Sequence, residues 1–163
     1  MKSLLVMRHA KSSWDNQYLA DHDRPLNERG KRDARRMGEL LKQLDLLPDL
    51  IISSTAERAR NTAERFVLAA DYERDLRLTR NFYHADPEDY LQYLRELGVE
   101  FDCVMLIGHN PGMAELVYDL TGVDTRFTTA NIAHITLPLG NWADLQESTQ
   151  GELHHLWRPK ELD

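Results

Sequence analysis

The chain has 163 residues, 42% of them hydrophobic and 29% charged, with a formal charge of −7 and one cysteine. A chain of this size can bury about two-thirds of its unfolded surface in one core, so a single domain over 1–163 is expected. The negative charge weighs against nucleic acid or an anionic membrane as partner. The lone Cys103 cannot close an internal disulfide, which points to a reducing, cytoplasmic setting.

The first apolar run, LLVM at residues 4–7, is shorter than the roughly 7–15-residue core of a signal peptide. No stretch reaches the ~20 apolar residues that cross a bilayer. SLLVM (3–7) therefore reads as a buried strand that delivers Arg8 and His9 at its end. Residues 28–45 follow with Ala34, Met37, Leu41 and Leu44 at helical spacing and Asn27 placed to cap them. Pro48 stops that element, and DLIIS (49–53) predicts a second strand. Residues 56–69 are helical by the spacing of Ala59, Ala63, Phe66 and Val67. A weak strand at 75–78 leads into the loop NFYHAD. Asp86 and Pro87 start a third helix that Gly98 ends. CVMLIG (103–108) is the clearest strand of the chain, and Asn110 and Pro111 open a fourth helix reaching about Thr121. Residues 131–137 and 152–157 are strand-like with no helix pattern between them.

Strands alternating with helices predict an α/β fold, a mostly parallel sheet covered on both faces. In such sheets ligands bind beyond the carboxyl ends of the strands. After the first strand come Arg8 and His9; after the second, Ser53, Ser54, Thr55 and, one turn into the helix, Arg58; after the fourth, His109 and Asn110. Arginine forks grip the non-bridging oxygens of a phosphoryl group in pairs. A neutral imidazole is a competent nucleophile toward phosphorus, and neighbouring cations keep it neutral. They also stabilise the charge that develops as phosphoryl moves, so no metal or cofactor is called for. Taken singly, each residue has an ordinary reading: a solvated strand end, a surface helix charge, a turn histidine. Their shared edge is what argues for a site.

MRHAKSSWD, SSTAERARNTA and IGHNPG, in this order and spacing, resemble the histidine phosphatase superfamily, which includes the phosphoglycerate mutases. HDRPLNERG, FTTANIAHITL and the RHAKSSW opening are similar to its phosphohistidine phosphatase branch, the SixA type. The resemblance implies a three-layer, phosphoglycerate mutase-like α/β/α fold with a mixed sheet. It implies that His9 is transiently phosphorylated while Arg8, Arg58 and His109 hold the phosphate. Asp15 stands where mutase relatives carry a phosphate-touching asparagine; a carboxylate there would repel the dianion. Where many short relatives carry the acidic proton donor as YEA, this chain has NFYHAD, which makes His84 the candidate donor, or a loop histidine touching nothing.

The remaining histidines have plainer readings. His154 and His155 are adjacent, so on a regular strand they face opposite ways and share no metal. His22 lies in the polar turn DHDRP, read as solvated, and His134 reads as a buried strand residue. Trp14 either walls the pocket or simply packs. The leading expectation is a phosphatase acting on a phosphohistidine protein through His9; the chain has no long insertion between the first strand and Arg58, or between Arg58 and His109, to form a lid. The alternatives are a phosphatase of small phosphate monoesters and a catalytically idle phosphate-binding module.

Overall fold

Hydrophobic alternation in the strands fixes which face each side chain takes, and the connections do the rest. The computed structural model describes residues 1–162. The strands are β1 (Lys2–Arg8), β2 (Leu50–Ser54), β3 (Asp75–Thr79), β4 (Cys103–Gly108), β5 (Ile132–Leu137) and β6 (Glu152–Trp157). They form one sheet in the order β3-β2-β4-β1-β5-β6. The first four in that order are parallel; β5 and β6 add on antiparallel, giving the mixed sheet expected. The helices are α1 (Glu28–Gln43), α2 (Glu57–Ala70), α3 (Pro87–Arg95) and α4 (Gly112–Thr121).

β1 divides its side chains between two cores. Leu4 and Val6 join the layer beneath α3 and α4, with Tyr90, Leu116 and Trp142. Leu5 and Met7 join the layer beneath α1 and α2, with Met37, Leu41 and Phe66. All four strand residues are fully buried, each worth roughly 1.5–3 kcal/mol of transfer free energy. The helix signals lie where the sequence put them. Asn27 accepts from the Gly30 amide at 2.8 Å, Asp86 and Asp89 form a reciprocal capping box ahead of Pro87, and Gly122 ends α4 in the left-handed region at φ 72°. α4 itself begins at Gly112, and Asn110 caps it by accepting from the Ala114 amide at 3.2 Å. α3 stops at Arg95, short of Gly98.

Close contact positions the loop that follows β1. A Cβ on Gly30 would lie 2.1 Å from the carbonyl oxygen of Lys11, so only glycine lets this loop rest on the first turn of α1. The loop is further tied by a Ser12–Leu26 bridge and a Ser13 amide to Pro25 carbonyl bond of 2.8 Å.

One strand expectation fails. The β5–β6 pairing slips between His134 and Ile135, so that His134 opposes His155 and Ile135 opposes Leu153. His154 is the extra residue of a bulge. Leu153 and Leu156 both pack on the α3/α4 core, while His154 and His155 share the other face with His134, whose ring is 5.5 Å from that of His154. His134 is half-buried and lies parallel to Trp157, their ring centres 6.2 Å apart, rather than sealed in the core. Among the described residues no group of three or more His, Cys, Asp or Glu side chains is arranged to hold a metal ion.

Cys103 opens β4, where burial, followed by the Asp49 and Asp102 charges, pushes its thiol up to about 12; it stays protonated and is no nucleophile. Pro159 is buried and Leu162 packs partly on the α1/α2 core, so the chain end follows the fold, with Asp163 outside the described residues. No helix among the described residues is long and apolar enough to cross a membrane.

Candidate active site

Three parallel strands end side by side, and one hollow lies beyond their ends, lined by Arg8 and His9 after β1, Arg58 in the helix after β2, and His109 after β4. Arg8 closes β1 opposite Gly108, the last residue of β4; Ser54 closes β2. The His9 amide donates to the Gly108 carbonyl at 3.0 Å, and Ala130 donates back to the carbonyls of Arg8 and His9. Thr62 of α2, fully buried, accepts from the Ala10 amide at 3.0 Å and donates to the Arg58 carbonyl at 2.7 Å. The loop carrying His9 is therefore stapled to the helix carrying Arg58.

The outcome is a cavity of about 240 Å³. His9, Arg58 and His109 are buried in its floor, with Arg8 beside them and Ser12 and Arg24 also buried; Lys11 and Trp14 stand exposed at its mouth, and Asn110 and Thr129 complete the lining. The rings of His9 and His109 are 5.1 Å apart. The predicted four, Arg8, His9, Arg58 and His109, thus meet. A larger hollow of about 620 Å³ lies elsewhere but is lined by Asp86, Glu88, Asp119 and Glu147, carboxylates that repel a phosphate.

Hydrogen bonding fixes the state of His9. Its Nδ1 is 2.7 Å from the Ala10 carbonyl oxygen. A carbonyl only accepts, so Nδ1 carries the proton and Nε2 presents its lone pair. Burial first, then the charges of Arg58, Arg8 and Arg24, lower its pKa to about 3, against the opposing pull of the Ala10 bond. His109 is lowered to about 3 by burial, then His9 and Arg58. Its Nε2 lies 2.8 Å from the Ser54 hydroxyl, which also accepts from the Ala56 amide. If Ser54 donates to Nε2, the neutral ring holds its proton on Nδ1 and offers it to the cavity.

Buried polar atoms nearly always find partners. Here Arg8 Nε, Arg58 Nε and His109 Nδ1 have none, and all three sit on residues that line this cavity; Thr125 Oγ1, away from it, is also without a partner. Burial and the neighbouring Arg58 also push the Arg8 guanidinium down from its ordinary value. Three orphaned nitrogens and a bare imidazole nitrogen describe a receptor for a tetrahedral oxyanion.

Residues that the sequence left unassigned hold this frame. Asp21 grips Arg58 twice, through its carbonyl to Nη1 at 2.7 Å and its carboxylate to Nη2 at 3.1 Å. The same carboxylate takes Arg24 Nε at 3.3 Å and the Tyr83 hydroxyl at 2.6 Å. The Tyr83 bond, followed by Arg58 and Arg24, brings Asp21 down to about 2 against the effect of burial, so it is a standing anion and not an acid. His22 bonds Thr55 at 2.9 Å and meets Tyr83 edge-on. The DHDRP turn is thus a structural wall, not a solvated loop, because Arg24 and Arg58 need its carboxylate. The signal available was Asp21 three residues before Arg24, a spacing that one tight turn closes. His84 is exposed outside the cavity lining, at φ 56°, with its ring 4.0 Å from Tyr83. Asp15 is exposed and does not line the cavity.

A sequence model of the histidine phosphatase superfamily (branch 1) matches residues 4–82, the stretch carrying Arg8, His9 and Arg58. An uncharacterised chloroplastic protein of Arabidopsis thaliana is 32% identical over 152 residues, covering 88% of this chain and 70% of the relative. A structure from Agrobacterium tumefaciens assigned as the phosphohistidine phosphatase SixA superposes with a TM-score of 0.83 at 29% identity, over 97% of this chain and 98% of that one. The protein histidine phosphatase SixA complexed with tungstate gives 0.83 at 25% identity, over 99% of both chains. The chain belongs to the histidine phosphatase superfamily, and within it to the SixA type.

Proposed function

We propose that the protein is a phosphatase that removes phosphoryl groups from phosphohistidine in a protein, through a phosphorylated His9. The observation carrying this is the set of buried, partnerless Arg8 Nε, Arg58 Nε and His109 Nδ1 around an imidazole whose Nε2 is left unprotonated. In the first step the His9 Nε2 lone pair attacks phosphorus, the bond to the leaving group breaks, and the leaving group takes its proton from solvent. In the second, water attacks the phosphorus of phospho-His9, the N–P bond breaks, and inorganic phosphate departs. The arginines and His109 carry the charge on the equatorial oxygens in both steps, which removes the need for a metal.

The site favours a phosphoramidate over an alkyl ester. Its lining is guanidinium, imidazole, ammonium, hydroxyl, amide and indole, and the carboxylate of this region, Asp21, is held ionised. An alkoxide leaving group needs a proton from the enzyme; an imidazole does not. His84 stands exposed and outside the lining, so it is not placed to supply that proton. SixA-type relatives support the same substrate class, and glucosyl-3-phosphoglycerate phosphatase, alike in fold, keeps small esters as the second reading. We place the reaction in the cytoplasm, on a phosphorylated protein, with the whole chain acting as one domain.

The test is turnover, side by side, of a phosphohistidine protein, a phosphoserine peptide and a panel of sugar phosphates. The account expects phosphohistidine to be preferred by at least about tenfold in kcat/KM, about 1.4 kcal/mol of transition-state discrimination. Preference for a sugar phosphate would move the function to small esters, and covalent label without turnover would leave only a binding module.

A further inference from the structure

Trp14 is 71% exposed, yet it lines the mouth of the cavity whose floor is His9. Its position is fixed. Arg24, itself buried, lays its guanidinium carbon 3.4 Å from the centre of the indole ring. Arg24 is anchored in turn by the Asp21 carboxylate at 3.3 Å and the Ser13 carbonyl at 3.5 Å. The loop beneath is held by the Ser12–Leu26 bridge and the Ser13–Pro25 bond. One face of the indole is therefore committed to a cation, and the rest of the ring is presented to whatever enters. A buried cation stacked on an exposed indole holds the ring in one orientation.

The chemistry of the floor sets what passes the mouth. In-line displacement puts the leaving group on the side of phosphorus opposite the nucleophile. With His9 buried below, that side is the mouth, where Trp14 and Lys11 are the exposed side chains. We infer that Trp14, braced by Arg24, is a stacking platform for a planar leaving group, and that it selects phosphorylated rings such as the imidazole of phosphohistidine over phosphorylated alkyl groups. The choice of imidazole rests on the function proposed above; the preference for a ring does not. Offset stacking on a preorganised aromatic face adds affinity without requiring a hydrogen-bond partner, which suits a leaving group that departs with solvent as its proton source.

Four substrates separate the two ideas: phosphohistidine (P–N bond, ring), phosphoramidate (P–N bond, no ring), phenyl phosphate (P–O bond, ring) and phosphoserine (P–O bond, no ring). Trp14→Ala is expected to lower kcat/KM by roughly three- to tenfold on the two ring substrates, the range of an aromatic pair, and by less than about twofold on the other two. Trp14→Phe is expected to keep most of the ring advantage. Equal loss on all four would mean that the indole serves only to hold Arg24, and unchanged turnover of the ring substrates would remove the platform; either overturns the inference. A wild-type preference for P–O over P–N would sink the phosphohistidine reading while the ring contrast still decides the role of Trp14. Circular dichroism and the melting temperature of each variant check that the fold is intact.

Discussion

At the scale of single residues, the site depends on which atoms hold protons. The bond from His9 Nδ1 to the Ala10 carbonyl commits the nucleophilic face to Nε2, and the Ser54 hydroxyl is placed to do the converse for His109. Ser54→Ala leaves Nε2 of a buried imidazole without a partner. It is expected to cost about 1–3 kcal/mol of stabilisation, read as a roughly 5- to 150-fold lower kcat/KM. Equal rates for the variant and wild type would show that His109 needs no orienting partner. Asp21 acts one residue further out. Asp21→Asn keeps the shape but removes the charge that pins Arg58 and Arg24, and about a tenfold loss is expected, smaller than for a sealed ion pair because the carboxylate is 44% exposed. Its signature is a rise in KM for every phosphorylated substrate alike. His9, Arg8, Arg58 and His109 were legible in the sequence because each lies at the end of a strand, just after one, or in the first turn of the next helix. Tyr83 and Thr62 were not, since Asp21 and Ala10, which they bond, lie 62 and 52 residues away; for Asp21 only the three-residue spacing to Arg24 was local, and its grip on Arg58 spans 37 residues.

At the scale of elements, the four α-helices and six strands fall within a few residues of the ranges the sequence predicts, while four short 3-10 turns leave no such pattern. Periodicity misjudged β6, where alternation from Leu153 predicts His155 beside it on the core face. The bulge shifts the phase, and Leu156 takes that place. A bulge leaves no mark in a short run of mixed residues, so the two histidines could not be assigned to one face beforehand. The functional seam between elements is Thr62, which joins the His9 loop to α2. Thr62→Val preserves shape but orphans the Ala10 amide and is expected to lower stability by about 1–3 kcal/mol, with Thr62→Ser restoring most of it. Urea denaturation measures both, and a Val variant as stable as wild type would mean the seam carries no load.

At the scale of the whole molecule, a chain of net charge −7 concentrates Arg8, Arg24, Arg58 and Lys11 around one hollow. That local reversal of sign steers a phosphorylated substrate to the mouth. The same cations, with burial, make the two site histidines a liability in acid. Both fall from an ordinary 6.5 to about 3 in the folded chain. Between those values the unfolded chain binds protons that the folded one refuses, so stability is full above about pH 6.5 and declines as pH falls toward 3. Each such histidine contributes a slope of up to roughly 1.4 kcal/mol per pH unit. Denaturant midpoints at pH 7 and pH 5 are expected to drop for the wild type, and His9→Asn is expected to lose about half of this pair's contribution to the drop. An unchanged drop in His9→Asn would show that folding does not lower the His9 pKa, against the burial and cationic surroundings described for it.

The central claim, a nucleophilic His9 seated in a cationic cup, has a direct assay: rapid quenching of the enzyme with radiolabelled acetyl phosphate. The account predicts a covalent label that survives base and is lost in acid, that is absent in His9→Ala, and that forms far more slowly in Arg58→Ala. Label persisting in His9→Ala, or an acid-stable bond, would contradict it.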